Sequence, residues 1–178
     1  TTEFKNADAK KGEGGKENAD VTAYKEALKK ARALLNKFDA NGKPKQDAKD
    51  VPTQKEVDEA LNNLKEIKDK ITKNYVTSPH DLQQEVDKSR DGADDMSDGL
   101  FEDTPEFKNA TAKGDESAKK ALDEYNEKLK AAKNLLDKFD RTTAKPKTNL
   151  PDGTKVPTQQ DLDKALKDLQ DAKKKITD

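Results

Sequence analysis

The residue types that do chemistry are few in this sequence, and their spacing does not suit it. His80 is the single histidine and there is no cysteine. A His-based metal cluster, a thiolate site and a Ser–His–Asp triad therefore cannot be assembled within the chain. His80 follows Ser78-Pro79 in what reads as the first turn of a helix, the place of a solvated surface residue. The acidic run Asp91-Gly92-Ala93-Asp94-Asp95-Met96-Ser97-Asp98-Gly99 has carboxylates for a calcium loop but the wrong register. With Asp94, Asp98 and Gly99 at loop positions one, five and six, Met96 falls at position three and Pro105 at the bidentate position twelve. The run reads as a polar helix face, with weak surface binding of a divalent ion as the alternative. Gly12-Glu13-Gly14-Gly15 lacks both the preceding strand and the following Gly-Lys-Ser/Thr of a phosphate loop, and reads as a flexible turn. Among 37 Asp and Glu no pair stands out as general acid and base. Most of these acids face a Lys three or four residues away on a helix, a pairing worth about 0.2–0.5 kcal/mol. Neither catalysis nor a cofactor is expected.

Composition bounds what remains. Lys and Arg number 36 against 37 Asp and Glu, so 41% of residues are charged while the formal net charge is -1. Hydrophobic residues make up 30% and aromatics 4%, with no Trp, too little for a thick core around a deep pocket. Leu, Ile, Val and Phe amount to about a sixth of the chain, below the roughly 20% at which disorder becomes a consideration. Disorder also goes with high net charge, which is absent, so periodicity must arbitrate. Arginine is confined to Arg32, Arg90 and Arg141 and no basic patch is visible, so nucleic acid is not an expected partner. The longest apolar runs are two or three residues, far short of the roughly 20 of a membrane span, and direct membrane insertion is not expected either. No signal peptide opens the sequence. Thr1-Thr2-Glu3-Phe4 reads as the start of a fragment of something longer, so location stays open. A secreted eukaryotic module this poor in core is usually stapled by disulfides. Without cysteine, the chain is either intracellular or drawn from a surface system that stabilises small modules by helix packing.

Self-comparison recasts the problem. Tyr24 to Asp39, YKEALKKARALLNKFD, returns as YNEKLKAAKNLLDKFD at Tyr125 to Asp140, with 10 of 16 positions identical. Val51 to Thr72, VPTQKEVDEALNNLKEIKDKIT, returns as VPTQQDLDKALKDLQDAKKKIT at Val156 to Thr177, with 12 of 22 identical. EFKNA occurs at Glu3 to Ala7 and again at Glu106 to Ala110; in chain order the offsets are 103, 101 and 105 residues. The chain is a tandem array of roughly hundred-residue units that differ by small loop insertions.

The repeated blocks carry helical spacing. Val21, Tyr24, Leu28, Ala31, Leu35 and Phe38 alternate steps of three and four, as do Ala118, Leu122, Tyr125, Leu129, Ala132, Leu136 and Phe139. Downstream, Val57, Ala60, Leu64, Ile67 and Ile71 are matched by Leu162, Ala165, Leu169, Ala172 and Ile176. Thr53-Gln54-Lys55-Glu56 and Thr158-Gln159-Gln160-Asp161, each preceded by proline, are capping boxes that start these second helices. Ser78 as N-cap with Pro79 at the first helical position opens a further helix, along which Leu82, Val86, Ser89, Ala93, Met96 and Leu100 keep the spacing. Gly92 and Gly99 weaken it by about 1 kcal/mol each relative to Ala, fraying it toward Gly99.

The expected architecture is all-α, tandem small three-helix bundles forming an elongated, charge-rich array. Residues 77–178 form one unit with helices near 79–98, 116–139 and 158–176, and residues 1–76 a partial unit holding the last two helices. Whether the helix after Ser78 also serves the partial unit stays open. The loops from Asp39 to Pro52 and from Asp140 to Pro157, with turns at Asn41-Gly42 and Asp152-Gly153, are the variable surface. Tyr24, Tyr125, Phe38 and Phe139 belong to the core stripes. Phe4, Phe107, Phe101 and Tyr75 fall off the main helices, as plugs between units or as partner contacts.

The order EFKNA, then Tyr-x3-Leu-x2-Ala-x2-Leu-Leu, then Pro-Thr-Gln-x3-Asp-x-Ala-Leu-x2-Leu-x6-Ile resembles the FIVAR-type helical repeats of Gram-positive surface proteins. Within that group it is most similar to the streptococcal surface repeats of wall-anchored adhesins. The resemblance covers Phe4 to Thr72 and Ser78 to Thr177. The departure is the long insert that includes Lys145-Pro146-Lys147-Thr148-Asn149-Leu150-Pro151. The resemblance implies an extracellular module on the bacterial surface, attached to the cell wall through parts of the parent protein outside this chain and monomeric within a longer array. It implies binding of a host extracellular-matrix glycoprotein, fibronectin above all, with no cofactor and no catalysis, and it assigns no partner-binding residue here. The competing expectation is a passive stalk that projects a distant adhesive domain. Many weak sites would give avidity; many bundles would give length.

Overall fold

The computed structural model describes residues 1–89 and 99–178. Among these residues every regular element is helical, and the chain divides into two compact units, Thr1–Val76 and Thr77–Asp178. No helix among them is long and apolar enough to cross a membrane.

The first unit has three helices, α1 (Thr2–Ala9), α2 (Ala19–Leu35) and α3 (Gln54–Asn74), each packed against the other two. Their starts are set by side chains that satisfy otherwise orphaned backbone N–H groups. Thr1 Oγ1 accepts from Phe4 N, Asn18 Oδ1 accepts from Asp20 N, and Thr53 with Glu56 forms the complete reciprocal capping box. The core is narrow: Ala7, Val21 and Ile71 are buried, with Phe4, Tyr24, Ile67 and Tyr75 half-buried around them. Polar contacts close this end. Asn6 Nδ2 donates to the Tyr75 carbonyl at 2.8 Å, and the Tyr75 hydroxyl donates to Asp20 Oδ2 at 2.9 Å. Asn18 Nδ2 donates to the Lys10 carbonyl and to the Tyr75 oxygen. The Lys70 ammonium lies 2.6 Å from Asp20, whose carboxyl is held below its ordinary value by that lysine first and by Tyr75, against the opposing effect of burial.

Among its described residues the second unit has four helices, α4 (His80–Asp87), α5 (Pro105–Lys113), α6 (Glu116–Leu136) and α7 (Gln159–Thr177). The long pair α6 and α7 is covered by both α4 and α5. Buried Leu82 and Val86 of α4 meet Tyr125, Leu129, Ala132 and Leu136 of α6 and Leu162, Leu169, Ala172 and Ile176 of α7, with Phe139 beyond α6. Gly114, at φ 61°, ends α5 in the left-handed conformation glycine favours, and Asp115 immediately caps α6 by accepting from Ala118 N at 2.8 Å. The Thr158–Asp161 capping box that starts α7 is complete, like its counterpart in α3.

Three features differ from the sequence reading. The EFKNA boxes are helical: they lie in α1 and α5, so among the described residues 1–76 hold three helices and 77–178 hold four. Each box is capped by a threonine, Thr1 or Thr104, and its phenylalanine packs edge-on against the tyrosine of the following helix. Second, α4 ends at Asp87 instead of running on to the high nineties. The Lys88 carbonyl accepts from Phe101 N at 2.8 Å, Gly99 has φ +82°, and Leu100 is buried in extended conformation. Ala93 and Met96 lie outside the described residues. The helix starts at His80 after Pro79, and Ser78 makes no side-chain cap; its backbone N–H and C=O are tied instead to the Gln159 amide. Third, α6 stops at Leu136. Phe139 N bonds the Leu136 carbonyl in a tight turn and Phe139 bridges back to Pro146, as Phe38 does to Pro44 in the first unit.

Candidate functional site

The densest polar chemistry sits inside the second unit, where α4, the segment 100–104, α6 and α7 meet. Lys173 Nζ donates to Glu85 Oε1 at 2.7 Å and to the Glu85 carbonyl at 3.2 Å, and both side chains are about one-tenth exposed. Burial pushes the Glu85 carboxyl up, but Lys173 and then Lys88 outweigh it and hold the group below the ordinary glutamate value. The same ammonium lies 5.2 Å from the centroid of the Phe101 ring. Phe101 in turn packs against Phe107 at 5.5 Å and Tyr125 at 5.2 Å, and the Tyr125 hydroxyl donates to Glu102. This cluster joins α4 and the Phe101 segment to the long helices. It offers no nucleophile with an adjacent base, and its members are committed to one another.

A surface cleft of about 300 Å³ opens beside it, lined by Pro79, His80, Val86, Lys133, Phe139 and Arg141 among others. Arg141 Nη2 donates to Asp87 Oδ1 at 2.9 Å across its mouth, and Gln83 donates to the same oxygen. Charges of both signs, including Lys133, Lys147, Asp137 and Asp140, ring a floor of Val86, Leu136 and Phe139. This arrangement can hold a polar peptide turn with one apolar side chain. Nearby, Asp140 accepts from Thr143 N and Oγ1, contacts that lower its pKa and fix the start of the loop that follows. In the first unit Asp39 accepts from two backbone groups at the matching place, Asn41 N and Lys43 N. The two loops thus begin alike. They diverge later, because the second is four residues longer, the offset rising from 101 at Asp39 to 105 at Val51.

His80 is exposed at the edge of this cleft. The acidic run is described only at Gly99, so its reading as a helix face lies outside the described residues. Among the described residues no group of three or more His, Cys, Asp or Glu is placed to hold a metal. Gly12 to Gly15 form a tight turn closed by Gly12 N bonding to the Lys16 carbonyl at 2.9 Å. Phe4 and Tyr75 pack within the first unit, and Phe101 and Phe107 within the second. The sequence reading missed the Glu85–Lys173 pair, although its signal was present. Lys173 lies four residues after Leu169 and three before Ile176, squarely on the apolar face of its helix.

Helical units of one pattern, repeated in tandem and with their threonine caps and aromatic pairs at matching positions, define a repeat protein. The model of one family, the FIVAR domain, matches residues 1–72 and 103–148, and the chain belongs to that family. The first match spans α1, α2 and most of α3, and the second spans α5, α6 and the start of the following loop. Helix α4 lies in the interval between them. Searches among curated proteins and among solved structures return no match. Family membership supports a cell-surface repeat module.

Proposed function

We propose that the chain is a repeat module of a bacterial surface adhesin that binds a host extracellular-matrix glycoprotein, fibronectin. The observation that carries the reading is the tandem FIVAR match, laid on two units whose caps and aromatic pairs correspond. The module works outside the cell, held to the wall through other parts of its parent protein, and it needs neither cofactor nor catalytic group. Nucleic acid is not its partner, and it does not insert directly into a membrane. Weak contact by each unit, multiplied along an array, yields avidity without a deep pocket.

The passive stalk is the second reading, favoured by the self-contained core of the second unit, whose buried residues engage one another. Titration of the full chain over immobilised plasma fibronectin across a salt series, with albumin as control, separates the two. Saturable micromolar binding that albumin does not reproduce is the adhesive outcome. Absence of binding at high micromolar concentration removes the adhesive reading and leaves the stalk.

A further inference from the structure

Asn41-Gly42 is the only Asn-Gly pair in the sequence, and the fold presents it at the tip of the turn that follows α2. Asp39 to Gly42 form that turn, closed by Gly42 N donating to the Asp39 carbonyl at 3.1 Å, and both Asn41 and Gly42 are exposed. Gly42 holds φ +74°, which glycine adopts without steric cost, and nothing lies within 4 Å of where a side-chain carbon would stand. Asp39 Oδ1 accepts from Asn41 N and Lys43 N, Asp39 N donates to the Lys43 carbonyl at 2.8 Å, and Phe38 bridges to Pro44. The backbone is tied on both sides of Asn41, while its side-chain amide makes no hydrogen bond among the described residues. The other asparagines differ. Asn6 and Asn18 are buried and committed to Tyr75 and to the cap of α2. Those in α3, α5 and α6 are followed by N–H groups bonded along a helix. Asn36 and Asn149 precede Lys37 and Leu150, whose side chains crowd the following nitrogen.

We infer that Asn41 is a site of spontaneous deamidation, which makes the loop of the first unit a self-modifying surface. The Gly42 nitrogen leaves the Asp39 carbonyl when the turn opens, gives up its proton to solvent base and attacks Cγ of Asn41. A C–N bond forms, the carboxamide nitrogen takes up a proton and leaves as ammonia, and a five-membered succinimide closes. Solvent water then opens the ring. Cleavage between Gly42 N and Cγ yields aspartate; cleavage between Gly42 N and the main-chain carbonyl yields isoaspartate, whose chain runs through the former side chain. Opening the turn breaks one exposed hydrogen bond, the kind of local fluctuation that loops undergo most readily. Either product adds one negative charge two residues from Asp39, in a chain whose formal net charge is -1. Isoaspartate also lengthens the main chain by one atom, which moves Lys43 N out of register with Asp39 Oδ1 and loosens the Phe38–Pro44 bridge. The second unit lacks this chemistry at the matching turn. There Asp140 Oδ1 accepts from Thr143 N, and Thr143-Ala144, with Ala144 at φ 55°, stand where Asn41-Gly42 do. Threonine has no carboxamide to lose, so the two loops age differently. This inference does not depend on matrix binding.

The test incubates the full chain for weeks in mildly alkaline buffer at physiological temperature. Peptide mapping by mass spectrometry follows, with fragmentation that separates aspartate from isoaspartate. Asn41 should convert about an order of magnitude faster than any other asparagine, with isoaspartate in excess, and Gly42→Ala should slow it at least about tenfold, because the methyl group shields the nitrogen and disfavours the left-handed turn. In amide NMR of the converted chain, Phe38, Asp39 and Lys43 should shift while Asp140 and Thr143 stay in place. Asn41 intact in the folded chain after the urea-unfolded chain has converted would overturn the inference, as would conversion no faster than at Asn149. Aspartate without isoaspartate, or an unchanged rate in Gly42→Ala, would overturn the cyclisation. Unmoved Phe38 and Lys43 resonances in the converted chain would overturn the loosening of the turn.

Discussion

Leu35 and Leu136 occupy the same position of the repeat, yet Leu35 is 61% exposed and Leu136 is 8% exposed. Leu28 and Phe38 are half-buried where Leu129 and Phe139 are buried. The stripes are equally apolar, so periodicity does not account for the difference. In the second unit α4 lays Leu82 and Val86 against α6 and α7 and brings Glu85 onto Lys173. In the first unit no helix plays that part among the described residues. The comparison teaches that an amphipathic stripe marks what can be buried, while an additional element decides what is buried.

The largest effect that would sharpen this contrast is expected at the buried ion pair. Lys173→Ala strands Glu85 inside the second unit and should cost about 3–5 kcal/mol. Lys68→Ala, at the exposed counterpart, should change stability by less than about 0.5 kcal/mol. Chemical denaturation of each variant, followed by probes in each unit, checks both, and equal losses would break the comparison. Next, Leu136→Ala should destabilise the second unit by about 2–5 kcal/mol, whereas Leu35→Ala should fall within the range of about ±0.5 kcal/mol seen for surface substitutions. Acid unfolding adds a third handle. The folded pKa of Glu85 is depressed, so its contribution is present above the ordinary glutamate value of about 4.3 and is lost as pH falls through the lower folded value. Glu85→Gln should remove that part of the acid limb in the second unit and leave the first unit's acid unfolding unchanged, as read by a pH titration of unit-specific signals. The smallest contrast between the units is expected for the capping boxes: Thr53→Ala and Thr158→Ala should each cost about 1 kcal/mol, measured as paired shifts in denaturation midpoint.

What the sequence made legible follows from how local the signals are. The starts of α3 and α7 are written in four residues each, Thr53 to Glu56 and Thr158 to Asp161, and both boxes form. The long helices α2, α3, α6 and α7 have enough turns for a three-four alternation to declare them. By contrast α1 and α5 have eight and nine residues with single aromatic anchors, Phe4 and Phe107, too little for a periodic signal. Helix α4 misled in the opposite way. Leu100 continues the stripe numerically, but reaches the core as an extended residue after Gly99. The insertion of Phe101 over Tyr125 is non-local and leaves no pattern in the sequence. Of the candidate surface, the loops after Asp39 and Asp140 were visible from their turn residues. The cleft of the second unit was not, since Val86 of α4, Leu136 of α6 and Phe139 come together only in the fold.

The central claim is that one helical framework occurs twice, packed against α4 and Phe101 in the second unit and, among the described residues, without those contacts in the first. Native-state amide hydrogen exchange on the full chain, resolved residue by residue, tests it most directly. The account predicts that Leu129 to Leu136 and Leu169 to Ile176 exchange much more slowly than their counterparts Leu28 to Leu35 and Leu64 to Ile71. Equal protection at those paired positions, or greater protection in the first unit, would contradict it.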